Sequence, residues 1–304
     1  MTTNWTSPPS SSADRPPPGD PGQAGPGGLV WRPGPPTARQ PAPVWPPLLV
    51  AEDLLEAGVV AAFTGRAGGT SEAPYATLNL GLRVGDDLRR VLANRRRAAT
   101  VLGLAGRPWA LARQVHSATV LRVDAGRLGQ GPPEARPPLG EGDGLVTTDP
   151  GVVLAVLTAD CAPVLLADPA AGVVGAVHAG WRGLAAGVVE AGVAAMAERG
   201  ADPARCVGLV GPAVGGCCYE VGPEVRQAVG ARLPAALATT RDGRPALDPA
   251  AGAAQALQRA GVGQVRVAGE CTFDLHDRFF SHRRDHGRSG RQAALIALVP
   301  GGGR

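Results

Sequence analysis

The sequence predicts one α/β (α+β) domain with mixed β-sheets flanked by helices. Three observations carry that reading. The chain has 304 residues, the size of one large domain or two small ones. Its middle is built of short apolar runs punctuated by Gly and Pro, the pattern of strands in a covered sheet. These runs mix with Ala-rich stretches of helical spacing, without the strict alternation of βαβ units.

The elements follow in chain order. Residues 1–46 are rich in Pro, Gly and Ser. They hold too little apolar surface to offset their ordering entropy, so a disordered tail is expected there and a catalytic domain over 47–304. The apolar run 59–64 reads as a strand, and 65–80 as a Gly-containing loop. An acidic start and helical spacing predict a helix over 86–102. Strands are expected at 109–115 and 119–123 around a turn at His116-Ser117, then a Gly/Pro-rich surface loop to 142. Four strands follow, at 144–147, 152–157, 162–167 and 173–177. An Ala-rich helix is expected over 184–199 and a strand over 207–210. Helices at 223–229 and 250–260, a strand at 265–267 and a last strand at 293–299 complete the chain. There is no internal repeat.

Composition excludes several chemistries. All 30 basic residues are Arg, and no Lys occurs. Schiff-base catalysis, a Walker A loop and a protein-kinase site each need a Lys. The net charge of +4 is modest. The Arg residues are dispersed apart from Arg95-Arg96-Arg97 and Arg283-Arg284, with no aromatic interleaving, so these read as solvated faces and no nucleic-acid groove is expected. No apolar run is long enough to cross a membrane. The five Cys (Cys161, Cys206, Cys217, Cys218 and Cys271) are odd in number and no apolar leader precedes them. Reduced thiols and a cytoplasmic location are therefore expected. Cys206, Cys217 and Cys218 read as buried, and no obligate protein partner is evident.

Three polar points interrupt the apolar core: Gln114-Val115-His116-Ser117, Thr158-Ala159-Asp160-Cys161, and His178-Ala179-Gly180-Trp181-Arg182-Gly183. Each places a His or Cys at a strand end, where loops build sites on a rigid scaffold. Two imidazoles and a thiolate suit zinc, with copper the alternative, and three ligands leave one position open. The spacing is not that of a short zinc motif, so core His and Cys remain an open alternative on spacing alone. Arg182 adds a fork-shaped donor for phosphate or carboxylate at a helix start. Asp160 reads as a ligand orienter or a cap, Asp143 as a turn residue that could also bond a hydroxyl, and Glu220 as a candidate acid or base. Arg66 and Asn79 are candidate substrate-binding residues. The three His of 276–286 and their neighbouring Asp read as a charged surface loop.

Taken together the motifs resemble the YfiH family, also called the laccase-domain or multicopper polyphenol oxidase family, with newer labels of purine nucleoside phosphorylase and peptidoglycan editing factor. The resemblance runs in order from about residue 59 to 299. It rests on Arg66 to Ser71 with Pro74 to Leu80, Gly85-Asp86-Asp87, Asn94-Arg95, Gln114-Val115-His116, Gly142-Asp143-Gly144, Thr158 to Cys161, and His178 to Gly183. Gly211-Pro212, Cys218 to Val221, Cys271-Thr272, Phe280 to Arg284 and Gly290-Arg291 complete it. It implies an α/β/β/α sandwich and a zinc site on His116, Cys161 and His178; Cys161, His178 and Arg182 are the candidate catalytic residues, Arg182 as a phosphate holder. It further implies phosphorolysis of adenosine, inosine, guanosine and methylthioadenosine, with phosphate as co-substrate, and deamination of adenosine. Arg66 and His282 depart from the residues common in relatives, which touches the substrate rim and leaves the triad intact. A peptidoglycan-precursor hydrolase with Cys161 as nucleophile and His178 as base is the alternative. A copper-dependent oxidase ranks below both, because a multicopper centre needs about ten His by the ligand preferences of copper and the chain has 5.

Overall fold

The computed structural model describes residues 28–32 and 48–299. Two six-stranded sheets stack face to face, with helices on both outer faces. The first sheet has the order β1-β2-β3-β14-β7-β4, from Val30–Arg32, Leu48–Val50, Val59–Thr64, Gln292–Leu298, Val153–Thr158 and Trp109–Ala110. The second has the order β13-β10-β8-β9-β6-β5, from Gln264–Val267, Val207–Val210, Ala162–Asp168, Val173–Ala179, Gly144–Thr147 and Val120–Arg122. A small hairpin pairs β11 (Leu237–Thr239) with β12 (Pro245–Leu247). Helix α1 (Glu52–Glu56) precedes β3.

The period-two alternation of each strand explains the layers. In β3, Val59, Ala61 and Phe63 face the other sheet, while Val60 faces outward. In β14, Ala294 and Ile296 face inward, while Ala293, Leu295 and Ala297 face outward. Leu165, Ala167, Val174 and Ala176 answer them from β8 and β9. Both faces are apolar because both are covered, so these strands read as continuous hydrophobic runs. Outside the first sheet lies α2 (Leu88–Val101), burying Ala98 and Ala99 against it. Outside the second lie α3 (Trp181–Ala186), α4 (Val188–Ala197), α5 (Pro223–Gly230) and α6 (Pro249–Arg259), whose Leu184, Val189, Val193, Val229 and Leu257 meet Val164, Leu166 and Val177. This is the α/β/β/α sandwich.

Four differences from the sequence reading have physical causes. The helix expected over 184–199 starts at Trp181 and breaks at Gly187, whose φ of 85° suits glycine and ends one helix as the next begins. The strand expected over 109–115 stops at Ala110, because the chain then turns into the loop that carries His116. Within the tail expected to be disordered, Leu29 is buried and Val30–Arg32 pairs antiparallel with Leu48–Val50. Leu29-Val30-Trp31 is the one apolar cluster in that segment, and an open sheet edge offers it a backbone ladder. The rest of 1–46 lies outside the described residues. Finally, Arg95 is not on a solvated face but fully buried. It donates to the Leu80 carbonyl at 2.8 Å and the Glu134 carbonyl at 2.7 Å, clamping two loops to α2.

Candidate metal centre

The register of the second sheet assembles one site at one end of the sandwich. Across β8 and β9, Pro163 faces His178 and Ala162 faces Ala179, so the next step sets Cys161 beside Gly180. Across β6 and β9, Gly144 faces Val177, so the next step sets Asp143 beside His178. Alternation then directs Asp143, Cys161 and His178 to the inter-sheet face, the same face as Leu145, Leu165 and Ala176. Thr158 ends β7 on the matching face of the first sheet.

His116 reaches this end from the loop after β4. Its φ of 63° lies in the left-handed region, which costs a non-glycine residue about 1 kcal/mol. Asp143 stabilises that conformation. Its carboxylate accepts the Val115 N–H at 3.1 Å, the His116 N–H at 3.0 Å and the Ser117 N–H at 2.6 Å. The Ser117 hydroxyl donates to it at 2.9 Å. The Gln114 amide adds two bonds to the Leu157 backbone, at 2.8 and 2.9 Å, tying the same loop to β7.

Asp143 also sets His178. The His178 Nδ1 lies 2.9 Å from Asp143 Oδ1, and the His178 N–H donates to the Asp143 carbonyl at 2.7 Å. With Nδ1–H donated to the carboxylate, Nε2 is left as a lone-pair donor, the pattern of a metal-binding imidazole held by a carboxylate. The donor atoms of His116, Cys161 and His178 all lie within 4.8 Å of one another. Cys161 Sγ is 3.9 Å from His116 Nε2, and the two rings meet edge-on with centroids 5.0 Å apart.

Gly180 leaves the room this packing needs. A Cβ there would sit 2.6 Å from His116 Cδ2 and 3.1 Å from Cys161 Sγ. The electrostatics suit a cation. Burial would push the Cys161 thiol up, yet the charge of His178 and hydrogen bonds from both imidazoles hold it down to about 6. Burial would lower His178, but the Cys161 thiolate and Asp143 raise it to about 9. Burial opposes ionisation of Asp143 as well, and the His178 bond together with the Ser117 N–H keeps its carboxyl well below the usual carboxylate range. Two imidazoles and a thiolate, held at strand ends and on a loop pinned by Asp143, with that carboxylate behind one imidazole, fit a zinc-class ion.

A cavity of about 510 Å³ opens over these donors. Its wall includes His116, Cys161, His178, Thr158, His282 and Arg291. The Thr158 hydroxyl is buried and has no hydrogen-bond partner. Arg291 enters because Gln292 pairs with Thr158 across β14 and β7, which sets Arg291 one step further out. Burial lowers its guanidinium from the usual range, against the pull of Asp160 and Cys161.

The remaining candidates separate. Arg66 does not line the cavity; it donates to the Ala76 carbonyl at 2.8 and 3.0 Å and stacks on Phe280. Asn79 is fully buried and committed to Gly81, Asp86 and the Arg291 N–H. Arg182 is exposed outside the cavity wall, its guanidinium 4.3 Å from the Trp181 ring centroid. Asp160 does not orient a ligand imidazole; it accepts from the Thr272 hydroxyl and the Arg283 N–H, both at 2.7 Å. Glu220 is an exposed partner of Arg244. Cys206 is buried as expected, whereas Cys217 and Cys218 are only half-buried and lie beside Cys271. Sequence reasoning missed Arg291 and the orienting role of Asp143. The signal for the latter was its flanking by Gly142 and Gly144: a Cβ on Gly144 would meet Val120 at 2.7 Å.

Comparisons with known proteins agree with this picture. The family model described as multi-copper polyphenol oxidoreductase laccase matches residues 60–299. A protein of Streptomyces coelicolor named purine nucleoside phosphorylase is 50% identical over 236 residues, 78% of this chain and 94% of that one. A protein of the same name from Deinococcus radiodurans is 44% identical over 252 residues, covering 83% and 93%. Among solved structures, YlmD from Geobacillus stearothermophilus superposes with a TM-score of 0.77 at 35% identity, covering 88% of this chain and 99% of that one. The hypothetical protein YfiH of Bacillus licheniformis gives 0.74 at 35% identity, covering 86% and 98%.

Proposed function

This chain belongs to the multi-copper polyphenol oxidoreductase laccase family, and from that premise we propose that it is a zinc-dependent purine nucleoside phosphorylase. In this reading it acts on adenosine, inosine, guanosine and methylthioadenosine, and also deaminates adenosine. The observation that carries the reading is the convergence of His116, Cys161 and His178, whose donor atoms lie within 4.8 Å of one another on the wall of the cavity. The names of the Streptomyces and Deinococcus relatives supply the substrate class.

The three donors would hold the zinc ion, which when bound supplies a Lewis acid and acidifies water. The rest belongs to the chain. A cavity of about 510 Å³ lies within the size range of small-molecule sites, roughly 300–1,000 Å³. In phosphorolysis a phosphate oxygen bonds to ribose C1′. The C1′–N9 bond breaks, and its electron pair leaves with the purine, which takes up a proton. Arg291, half-buried on the cavity wall beside Cys161, is placed to hold the phosphate. This replaces Arg182, which points away. The unpartnered Thr158 hydroxyl offers a hydrogen bond to substrate inside the cavity. Asp143 keeps the His178 ring in one tautomer and orientation, so its Nε2 stays directed at the site. In deamination water adds at purine C6 and ammonia departs, with the same cavity excluding bulk solvent.

The test is phosphate-dependent base release from inosine and adenosine by the purified chain and by Cys161→Ala. The variant is expected to lose about 100-fold or more; equal rates would overturn the proposal. One observation favours a second reading. Cys161 and His178 lie within reach of each other, and the His178 imidazole holds the Cys161 thiol low, an arrangement a cysteine hydrolase would use, with a peptidoglycan precursor as the candidate substrate. Activity that survives chelation but is abolished by thiol alkylation would select it.

A further inference from the structure

A second cluster of soft donors lies outside the cavity wall. Cys217 and Cys218 follow β10 in a turn, and Cys271 follows β13. The backbone brings them together: Ala213 bridges Cys271, and the Gly215 N–H donates to Cys271 Sγ at 3.2 Å. Cys217 Sγ is 3.1 Å from Cys218 Sγ and 3.7 Å from Cys271 Sγ, and all three sulfurs lie within 4.8 Å of one another.

We propose that Cys217, Cys218 and Cys271 form a second metal site, a three-thiolate seat for a divalent thiophilic cation of the zinc class. The spacing is that of ligands around one ion. Zn–S bonds of about 2.3 Å at the tetrahedral angle put sulfurs about 3.8 Å apart; Cys217 and Cys271 already stand at 3.7 Å, and Cys218 would move outward from its 3.1 Å contact with Cys217. A disulfide would need about 2.05 Å and an oxidant to take two electrons, and the third sulfur would have no part in it. All three thiols are free and half-buried, so solvent and ions reach them.

Charge supports the same conclusion. A dication held by three thiolates leaves a net charge of minus one. Arg241 sits where it offsets that charge. Its Nη1 lies 3.8 Å from Cys218 Sγ, and its fork is fixed by Asp274 at 3.0 and 2.7 Å. The ion would clip two segments 54 residues apart. It shares no ligand with the first centre, although Thr272, next to Cys271, bonds the Asp160 that precedes Cys161.

The test uses the full chain, stripped of metal and titrated with Co²⁺, then with Zn²⁺. In Cys161→Ala, which disables the first centre, one Co²⁺ is expected to bind with an intense near-ultraviolet thiolate-to-cobalt band. Zinc is then expected to slow the reaction of three thiols with an aromatic disulfide reagent by about 100-fold. In Cys217→Ser/Cys271→Ser, the equivalent that the first centre binds is kept and the three-sulfur band is lost. No thiolate band in Cys161→Ala, or thiol reactivity unchanged by zinc, would overturn the proposal. If the double variant does not fold, Cys218→Ala serves, with a weakened band expected and an unchanged band contradicting the site.

Discussion

Replacing Gly180 by Ala isolates the packing that brings the three donors together. Gly180 caps α3 with φ −77° and ψ 167°, extended backbone that alanine adopts without strain. The added methyl would stand 2.6 Å from His116 Cδ2, 3.3 Å from His116 Nε2 and 3.1 Å from Cys161 Sγ. Carbon atoms in contact settle near 3.5 Å, so the imidazole must retreat by about 0.9 Å. Functional metal–ligand distances tolerate about 0.2 Å. The ring cannot swing away freely, because its main-chain N–H and those of both neighbours are bound to Asp143. Zinc should therefore lose His116 as a ligand, at a cost of at least the 10–100-fold typical of disrupting an outer partner, roughly 1.4–2.7 kcal/mol. The assay is a competition titration of metal-stripped protein against a chromophoric chelator, with circular dichroism confirming the fold. A folded Gly180→Ala chain that binds zinc as tightly as the parent would refute the reasoning.

Further outcomes are expected. Asp143→Asn removes the charge that holds His178 and the 115–117 backbone, so zinc affinity should fall about 10–100-fold; the same competition titration checks it. In metal-stripped protein the Cys161 thiol is held down to about 6, so its alkylation rate should rise as pH increases through about 6 and plateau well below the range of an ordinary thiol, with zinc suppressing it. A midpoint near 8.5 would contradict the assigned environment. Asn94→Ala removes a buried amide that binds the Thr70 N–H, the Ser71 hydroxyl and the Thr77 and Asn79 carbonyls. Leaving such groups unpaired should cost about 2–3 kcal/mol, seen as a Tm lowered by roughly 5–10 °C.

Much of this architecture was legible in the sequence because covered strands advertise themselves. Val59–Thr64, Gly144–Thr147 and Val207–Val210 form over the predicted spans. The three donors stood out because they interrupt such runs at their ends, and the β6–β9–β8 register then brings Cys161 and His178 together. What was hidden depends on contacts far apart in sequence. Asp143 and Asp160 are both acidic residues in loops, and only the pairing of β6 with β9 shows which one faces an imidazole. Arg291 is one Arg among many until β14 pairs with β7. Arg182 follows a strand at a helix start, which looked like an anion site, but the register directs His178 inward and leaves Arg182 exposed. Cys217 and Cys271 lie 54 residues apart, so no local pattern announces their meeting.

The most direct measurement is an anomalous-scattering map, recorded at the zinc absorption edge, from crystals of the zinc-loaded full-length chain. A peak bonded to one nitrogen each of His116 and His178 and to Cys161 Sγ, at about 2.0–2.3 Å, is the predicted result. Zinc-loaded crystals with no peak among these three donors would contradict the account.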